Sequence, residues 1–323
     1  MIDIISSNWL WAHLFPFQVV RKAIAMIQKL AEDEEKYEEF WDQFGTSIKL
    51  GALEDTNNRA RLEKLLRFRS SAAEGLTGFE DYVSRMKEGQ KSIYFFAQQE
   101  DISTLKQSPL LERLLKNGYE VLFMTEAIDE YLFQAGSITK FEDYEIVNIA
   151  KENLKLDDEE VDEEEQEAVK EEFKPLCDYL KKTLARKIMN CKVSDRLTES
   201  PSALTSAQWG WTANMERIAK SQPLADKSMA SMMKSQKIME INPTHPIVVE
   251  LKNRVSQEGE EGEAEADLAH LLYDTALLSS GYEMEDPHSF SARIHRVMSN
   301  SLGLPASVKE DVAAAEGGYY EEL

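Results

Sequence analysis

The chain has 323 residues, 42% of them apolar, which is enough for two or three packed domains. Its 59 acids against 37 bases give a net charge of -22, and this excludes a general nucleic-acid binder because a polyanion would be repelled. Gly and Pro, at 14 and 9, are too sparse for a collagen-like or low-complexity polymer. A helical block comes first. Val20, Ile24, Ile27 and Leu30 recur at helical spacing, and the acids Glu32, Asp33, Glu34 and Glu35 let a second helix start. Tyr37, Phe40, Trp41 and Phe44 continue the apolar stripe, with Gly45 as the expected stop. Leu62, Leu65, Leu66 and Phe68 predict a third helix starting near Asn58.

From about residue 76 the pattern alternates. A helix from Gly78 to Lys87 leads into the strand Ser92 to Phe96, and a helix from Pro109 to Lys116 ends at Asn117-Gly118, a left-handed cap. The strand Glu120 to Met124, the helix Ala127 to Gln134 and the strand Glu145 to Ile149 follow. This order predicts a small parallel sheet covered by helices. Residues 151–168 read as an acidic linker or a solvated helix start. Next come a helix from Val169 to Lys187, carrying Phe173, Leu176, Leu180 and Leu184 on one face, and strands at Met189 to Ser194, Ala203 to Ser206 and Ile238 to Ile241. Two helices close the chain.

Most of the negative charge is local. Asp157 to Glu172 holds eleven acids and one base, and Glu258 to Asp267 holds six acids. Such runs are either solvated helix starts and linkers or a site for a basic partner. Cys177 and Cys191 lack a Cys-x-x-Cys spacing, and His13, His245, His270, His288 and His295 are too scattered to complete a zinc site. Two thiols fit either a reducing compartment or a single bridge. No apolar run approaches a membrane span, and Asp3 with no small-residue cleavage site argues against a signal peptide. Nucleotide-binding glycine loops, a His-Glu-x-x-His metal motif and a Gly-x-Ser-x-Gly elbow are all missing, which disfavours a stand-alone enzyme.

Two surfaces carry more information. Met215, Met229, Met232, Met233 and Met239 put five of the twelve methionines within 25 residues. In an expected helix from Asp226 to Lys237, Met229, Met232 and Met233 share a face, as a core stripe or as an adaptable apolar contact surface. The terminal helices carry stripes at Leu268, Leu271, Leu272, Thr275 and Leu278, then at Phe290, Ile294, Val297, Met298 and Leu302. Each stripe either packs on its own domain or joins a second copy in a four-helix bundle.

The chain resembles the heat shock protein 90 family of molecular chaperones from about Phe17 to Leu304. Matching strings include Ile48-Lys49-Leu50-Gly51, Leu65-Leu66-Arg67-Phe68, Asp81 to Met86 and Ile128-Asp129-Glu130-Tyr131. The most distinctive is Gly210-Trp211-Thr212-Ala213-Asn214-Met215-Glu216-Arg217-Ile218, followed by Glu240-Ile241-Asn242-Pro243 and Leu271 to Leu278. The resemblance implies a mixed α/β fold. It comprises an unmatched segment 1–16, a helical coil 17–75, a small α/β unit 76–150 and an acidic linker 151–168. A client-binding and dimerisation domain 169–305 and a flexible acidic tail 306–323 complete it. Trp211, Met215, Met229, Met232 and Met233 then look like the client-contacting surface, and the terminal stripes like the dimer interface.

ATP and magnesium belong to the full-length family. Its nucleotide domain and the first half of its middle domain have no counterpart here, and the family's phosphate-reaching arginine faces the stretch Ser6 to Trp11, which has no basic residue. Arg21 matches a helix position instead. The chain therefore reads as a fragment or truncated gene without cofactor or ATPase of its own. The expected partners are partly folded client proteins and a second copy, then full-length family members and co-chaperones. The alternative function is a modulator forming mixed dimers with full-length members. The ending Tyr319-Tyr320-Glu321-Glu322-Leu323 departs from the Met-Glu-Glu-Val-Asp that docks co-chaperones in cytosolic members, and only loosely resembles a Lys-Asp-Glu-Leu retrieval signal. The expected compartment is the cytoplasm, with the endoplasmic-reticulum lumen as the alternative.

Overall fold

Asp33 opens the first long helix. Its carboxylate accepts from the Lys36 amide at 3.3 Å, and Glu34 and Glu35 set negative charge at the positive end of the helix. The computed structural model, which describes residues 18–133, 137–152, 154, 156, 163–222, 232–233, 236–258 and 263–304, places helix α1 at residues 18–30 and α2 at Glu34–Glu54. Gly45 does not end α2. It faces the Trp41 indole, where a Cβ would come within 2.8 Å of Cε2, so its missing side chain makes room for a ring and not for a chain reversal. The helix stops at Asp55, whose carboxylate takes the amides of Asn57 and Asn58, each at 3.1 Å. Helix α3 (Arg59–Glu63) starts beside Asn58 as expected but is short; Leu65, Leu66 and Phe68 are buried beyond its end.

The chain continues through β1 (Arg69–Ser70), α4 (Phe79–Arg85), β2 (Ser92–Ala97), α5 (Ile102–Leu105), a 3-10 turn (Pro109–Leu111) and α6 (Glu112–Lys116). Then come β3 (Val121–Met124), α7 (Ala127–Leu132), β4 (Lys140–Phe141) and β5 (Tyr144–Asn148). Strands β3, β2 and β5 lie side by side and parallel, as the sequence predicts, while the short β1 and β4 close the two edges antiparallel. Asn117-Gly118 caps α6: Gly118 takes φ +76°, and the Tyr119 amide donates to the Leu114 carbonyl at 2.9 Å.

Alternation along β2 sorts the packing. Ile93, Phe95 and Ala97 face the helical block and share a core with Tyr37, Trp41, Leu65, Leu66 and Phe79. Tyr94 and Phe96 face the other way and pack with Leu110, Leu114, Tyr119, Val121 and Phe123. That second core also takes in Leu197 and Ala203, from the C-terminal half of the chain. Stretches 17–75 and 76–150 therefore share one core, and the C-terminal half covers the opposite face of the sheet.

The C-terminal half contains α8 (Glu163–Thr183), β6 (Asn190–Val193), β7 (Ser202–Ser206), α9 (Ala213–Ser221) and β8 (Lys237–Ile241). It finishes with α10 (Pro246–Glu258), α11 (Glu263–Ser279) and α12 (Pro287–Ser301). Helix α8 begins earlier than the Val169 expected, because acids at a helix start favour it and Lys181 and Lys182 suit its last turn. It also ends before Lys187, with Arg186 turning the chain at φ 76°. Strand β8 is central, parallel to β6 and antiparallel to β7. Phe173, Leu176 and Leu180 of α8, with Leu184 just beyond its end, pack with Met239, Ile241, Ala269, Leu272 and Tyr273.

Polar ties hold the halves together. The Glu112 carboxylate accepts from the backbone amides of Thr198 (2.7 Å), Glu199 (2.8 Å) and Ser200 (3.1 Å). Burial works against its ionisation, but these bonds more than offset it and keep the carboxyl below its usual range. Buried Arg196 donates to the carbonyls of Ile149 (2.5 Å) and Lys151 (3.1 Å) while its Nε meets Glu240 at 3.0 Å.

Helix α11 ends in a Schellman turn: the Tyr282 amide donates to the Leu277 carbonyl at 3.0 Å and the Gly281 amide to that of Leu278 at 3.1 Å. Gly281 has φ +82°, and a Cβ there would lie 1.9 Å from Gln98 Nε2. Gly281→Ala is expected to cost about 3 kcal/mol, from left-handed strain plus the displaced Gln98. Gly89→Ala, at φ +86° with open space around it, should cost only about 1 kcal/mol. Urea unfolding of both variants separates the two contributions, and equal losses would remove Gln98 from the account.

Candidate functional site

The segment around α9 is fixed from three sides. Thr212 caps the helix, accepting from the Met215 amide at 3.2 Å, and its own hydroxyl donates to Glu130 Oε1 at 2.8 Å. Asn214 Nδ2 donates to the other Glu130 oxygen at 3.1 Å. Glu130 sits on α7, so this carboxylate ties α9 to the five-stranded unit. Burial pushes the Glu130 carboxyl up, and the bonds from Asn214 and Thr212 pull only part of the way back. On the second side, Arg217 reaches the Gln99 carbonyl at 2.9 Å and the Glu100 carboxylate at 3.0 Å. On the third, Lys237 of β8 forms a buried ion pair with Glu216 and lies 4.7 Å from the centre of the Tyr282 ring.

Ahead of α9 the chain turns through residues 207–210. Lys151 Nζ donates to the Gly210 carbonyl at 2.5 Å, and the Ala207 amide to the Gln236 carbonyl at 3.0 Å. The approach to β8 therefore runs beside this turn. Trp211 and Met215 are half-buried, as is Met233, whereas Met232 is 57% exposed. Of the expected helix Asp226 to Lys237, Met232 and Met233 are helical and Lys237 already belongs to β8, a correction set by its pairing with Ser206. Met229 lies outside the described residues. Met239 is sealed in the core on β8. The most exposed aromatic of the turn is Trp209, at 73%, a residue the sequence reading did not single out. Its only signal in the sequence is an indole between polar Gln208 and Gly210, with no period to reveal it.

The helix pair has a divided character. On α11, Leu272 is buried and Leu268 packs on the C-terminal core, while Leu271 is half-buried and Thr275 and Leu278 are exposed. Steps from 271 to 275 to 278 keep those three on one outer face. Helix α12 has no buried residue. Phe290 and Ile294 are half-buried, Val297 is 38% exposed, Leu302 is 72% exposed, and Met298 is also exposed. Polar bonds hold α12 in place: Arg296 grips Asp267 with Nε at 2.8 Å and Nη2 at 2.6 Å, and Arg293 pairs with Asp274.

Among the described residues, no group of three or more His, Cys, Asp and Glu side chains is placed to hold a metal ion. Among the same residues, no helix is long and apolar enough to cross a membrane.

Comparison with known proteins follows the same lines. Residues 15–321 match the family described as Hsp90 protein. The chain is 46% identical over 284 residues to an endoplasmin homolog of Dictyostelium discoideum, covering 87% of this chain and 36% of that protein. It is 40% identical to an endoplasmin homolog of Arabidopsis thaliana, covering 93% of this chain and 38% of that one. The chain thus spans little more than a third of the length of these relatives. With a match that runs almost from end to end, and with the ties around α9 falling on its most distinctive string, this chain belongs to the Hsp90 protein family.

Proposed function

We propose that the chain is a client-holding and dimerising part of an Hsp90-type chaperone. Partly folded proteins would be held by burial of their apolar segments against Trp209, Trp211, Met215 and the Met232–Met233 segment. Burial of this kind is non-directional, so it suits clients of differing sequence. Flexible thioethers adapt to such clients, and the aromatic rings supply area. Two copies would join through the outer face of α11 and α12, doubling the valency of the holding surface. The observation that carries the reading is that large apolar side chains stand in water at two separate places in one unit, Trp209 with Met232 and Val297 with Leu302.

ATP and magnesium remain a property of the full-length family in this reading, and the chain by itself holds clients passively. Background-level ATP hydrolysis by the purified chain is the matching expectation. For the compartment, both relatives carry the name endoplasmin homolog, which favours the endoplasmic-reticulum lumen over the cytoplasm expected from the sequence.

Suppression of aggregation of a heat-denatured client protein tests the holding surface. Replacing Trp209 and Met232 together with Ser should raise the chain concentration needed for half-suppression at least about threefold. Because both residues are exposed, Tm should stay within about 2 °C of the parent. Unchanged suppression would remove this surface from the reading, and a large fall in Tm would mark the two residues as structural.

A further inference from the structure

Two thiols meet where α8 packs along β6. Cys177 stands on the helix, half-buried, and Cys191 on the strand, 6% exposed and part of the core with Leu176, Leu180 and Met239. Their side chains are hydrogen-bonded to each other, and both are free thiols. Cys177 packs against the same core that contains Cys191, so the helix and the strand bring the two thiols together as neighbours. The two environments are unequal. The bond from Cys191 holds the Cys177 thiol below its ordinary range, while that same bond and burial push the Cys191 thiol well up. Asp178 faces Cys177, and both Asp178 and Glu240 of β8 face Cys191, so negative charge opposes ionisation of the inner thiol. The nucleophilic thiolate therefore forms on the side that solvent can reach.

We propose that Cys177 and Cys191 are an oxidation site, closed by a peroxide into an intramolecular disulfide that pins α8 to β6. The Cys177 thiolate attacks one peroxide oxygen, the O–O bond breaks, hydroxide leaves, and Cys177 becomes a sulfenic acid. The Cys191 sulfur then attacks the Cys177 sulfur, the S–O bond breaks, and water leaves with the Cys191 proton. Two thiols and one peroxide give one disulfide and two waters. Both steps join neighbouring thiols on a helix and a strand that already share one core. The other reactive outcome, over-oxidation of Cys177, is suppressed because its resolving thiol waits beside it.

The test uses the purified 323-residue chain with one equivalent of hydrogen peroxide, digested without reductant and analysed by mass spectrometry. The expected product is one linked peptide pair containing Cys177 and Cys191, two hydrogens lighter than its reduced parts, from chain that runs as a monomer in a denaturing non-reducing gel. It should form about tenfold faster in the folded chain than in urea, because folding pre-orients the two sulfurs. In Cys191→Ser, Cys177 should accumulate as a sulfenic acid that a dimedone-type probe captures. In Cys177→Ser, Cys191 should stay reduced. Reduced Cys191 in the treated parent, or linkage only between chains, overturns the proposal, and that arm decides the matter even if a variant fails to fold.

Discussion

Val297→Asp combined with Leu302→Asp should leave the chain monomeric at concentrations where the parent is dimeric, weakening self-association at least about a thousandfold. In a two-fold interface each substitution is met twice, so two changes count as four. Each removes an apolar contact worth about 1–2 kcal/mol and asks the partner to desolvate a carboxylate, and about 4 kcal/mol is already a thousandfold in Kd. The fold should not suffer. No residue of α12 is buried, and the helix is anchored through Arg293 and Arg296 to Asp274 and Asp267, which the substitutions leave alone. Sedimentation velocity over a concentration series reads the result directly. A parent that stays monomeric at tens of micromolar, or a double variant that still dimerises, sinks the assignment of this face.

Lys237→Met is the second large effect, and it acts on stability. Lys237 and Glu216 are both buried, and the pair joins β8 to α9 with Tyr282 of the helix-pair turn beside it. Removing the cation leaves Glu216 charged in a place that water does not solvate, at a cost of about 3–5 kcal/mol. Lys237→Met with Glu216→Leu should recover most of that loss, since the desolvation penalty disappears along with the attraction. Urea unfolding of the two single variants and the double variant forms the cycle. A single variant within about 1 kcal/mol of the parent would show that the pair contributes little. The same variant should blunt client holding, because α9 loses the anchor on the side facing β8.

How much of this was legible in the sequence depends on what each element buries. Strand β2 was easy to place: Ser92 to Ala97 is buried on both faces of a parallel centre, so it appears as an unbroken apolar run. Helix α11 was harder. Its apolar residues point both inward, at Ala269, Leu272, Tyr273 and Ala276, and outward, at Leu271 and Leu278, so a single stripe drawn through Leu268, Leu271, Leu272, Thr275 and Leu278 merges two faces. Helix α10 carried its signal in Val248, Leu251 and Val255, at steps of three and four after Pro246, without entering the expected order of elements. Gly45 misled because a glycine that makes room for an indole looks the same in sequence as one that ends a helix. Trp209 and the meeting of Cys177 with Cys191 lie beyond periodic reasoning altogether: one is a lone ring in a turn, the other a helix residue and a strand residue that share no repeat.

The three amides gathered on Glu112 have a mechanical meaning. They fasten the strip before β7 to the start of α6, and directly beneath them Leu197 and Ala203 plug the underside of the large sheet. Severing the chain near residue 150 would therefore tear open a greasy seam over Tyr94 and Phe96 and would not release two tidy halves.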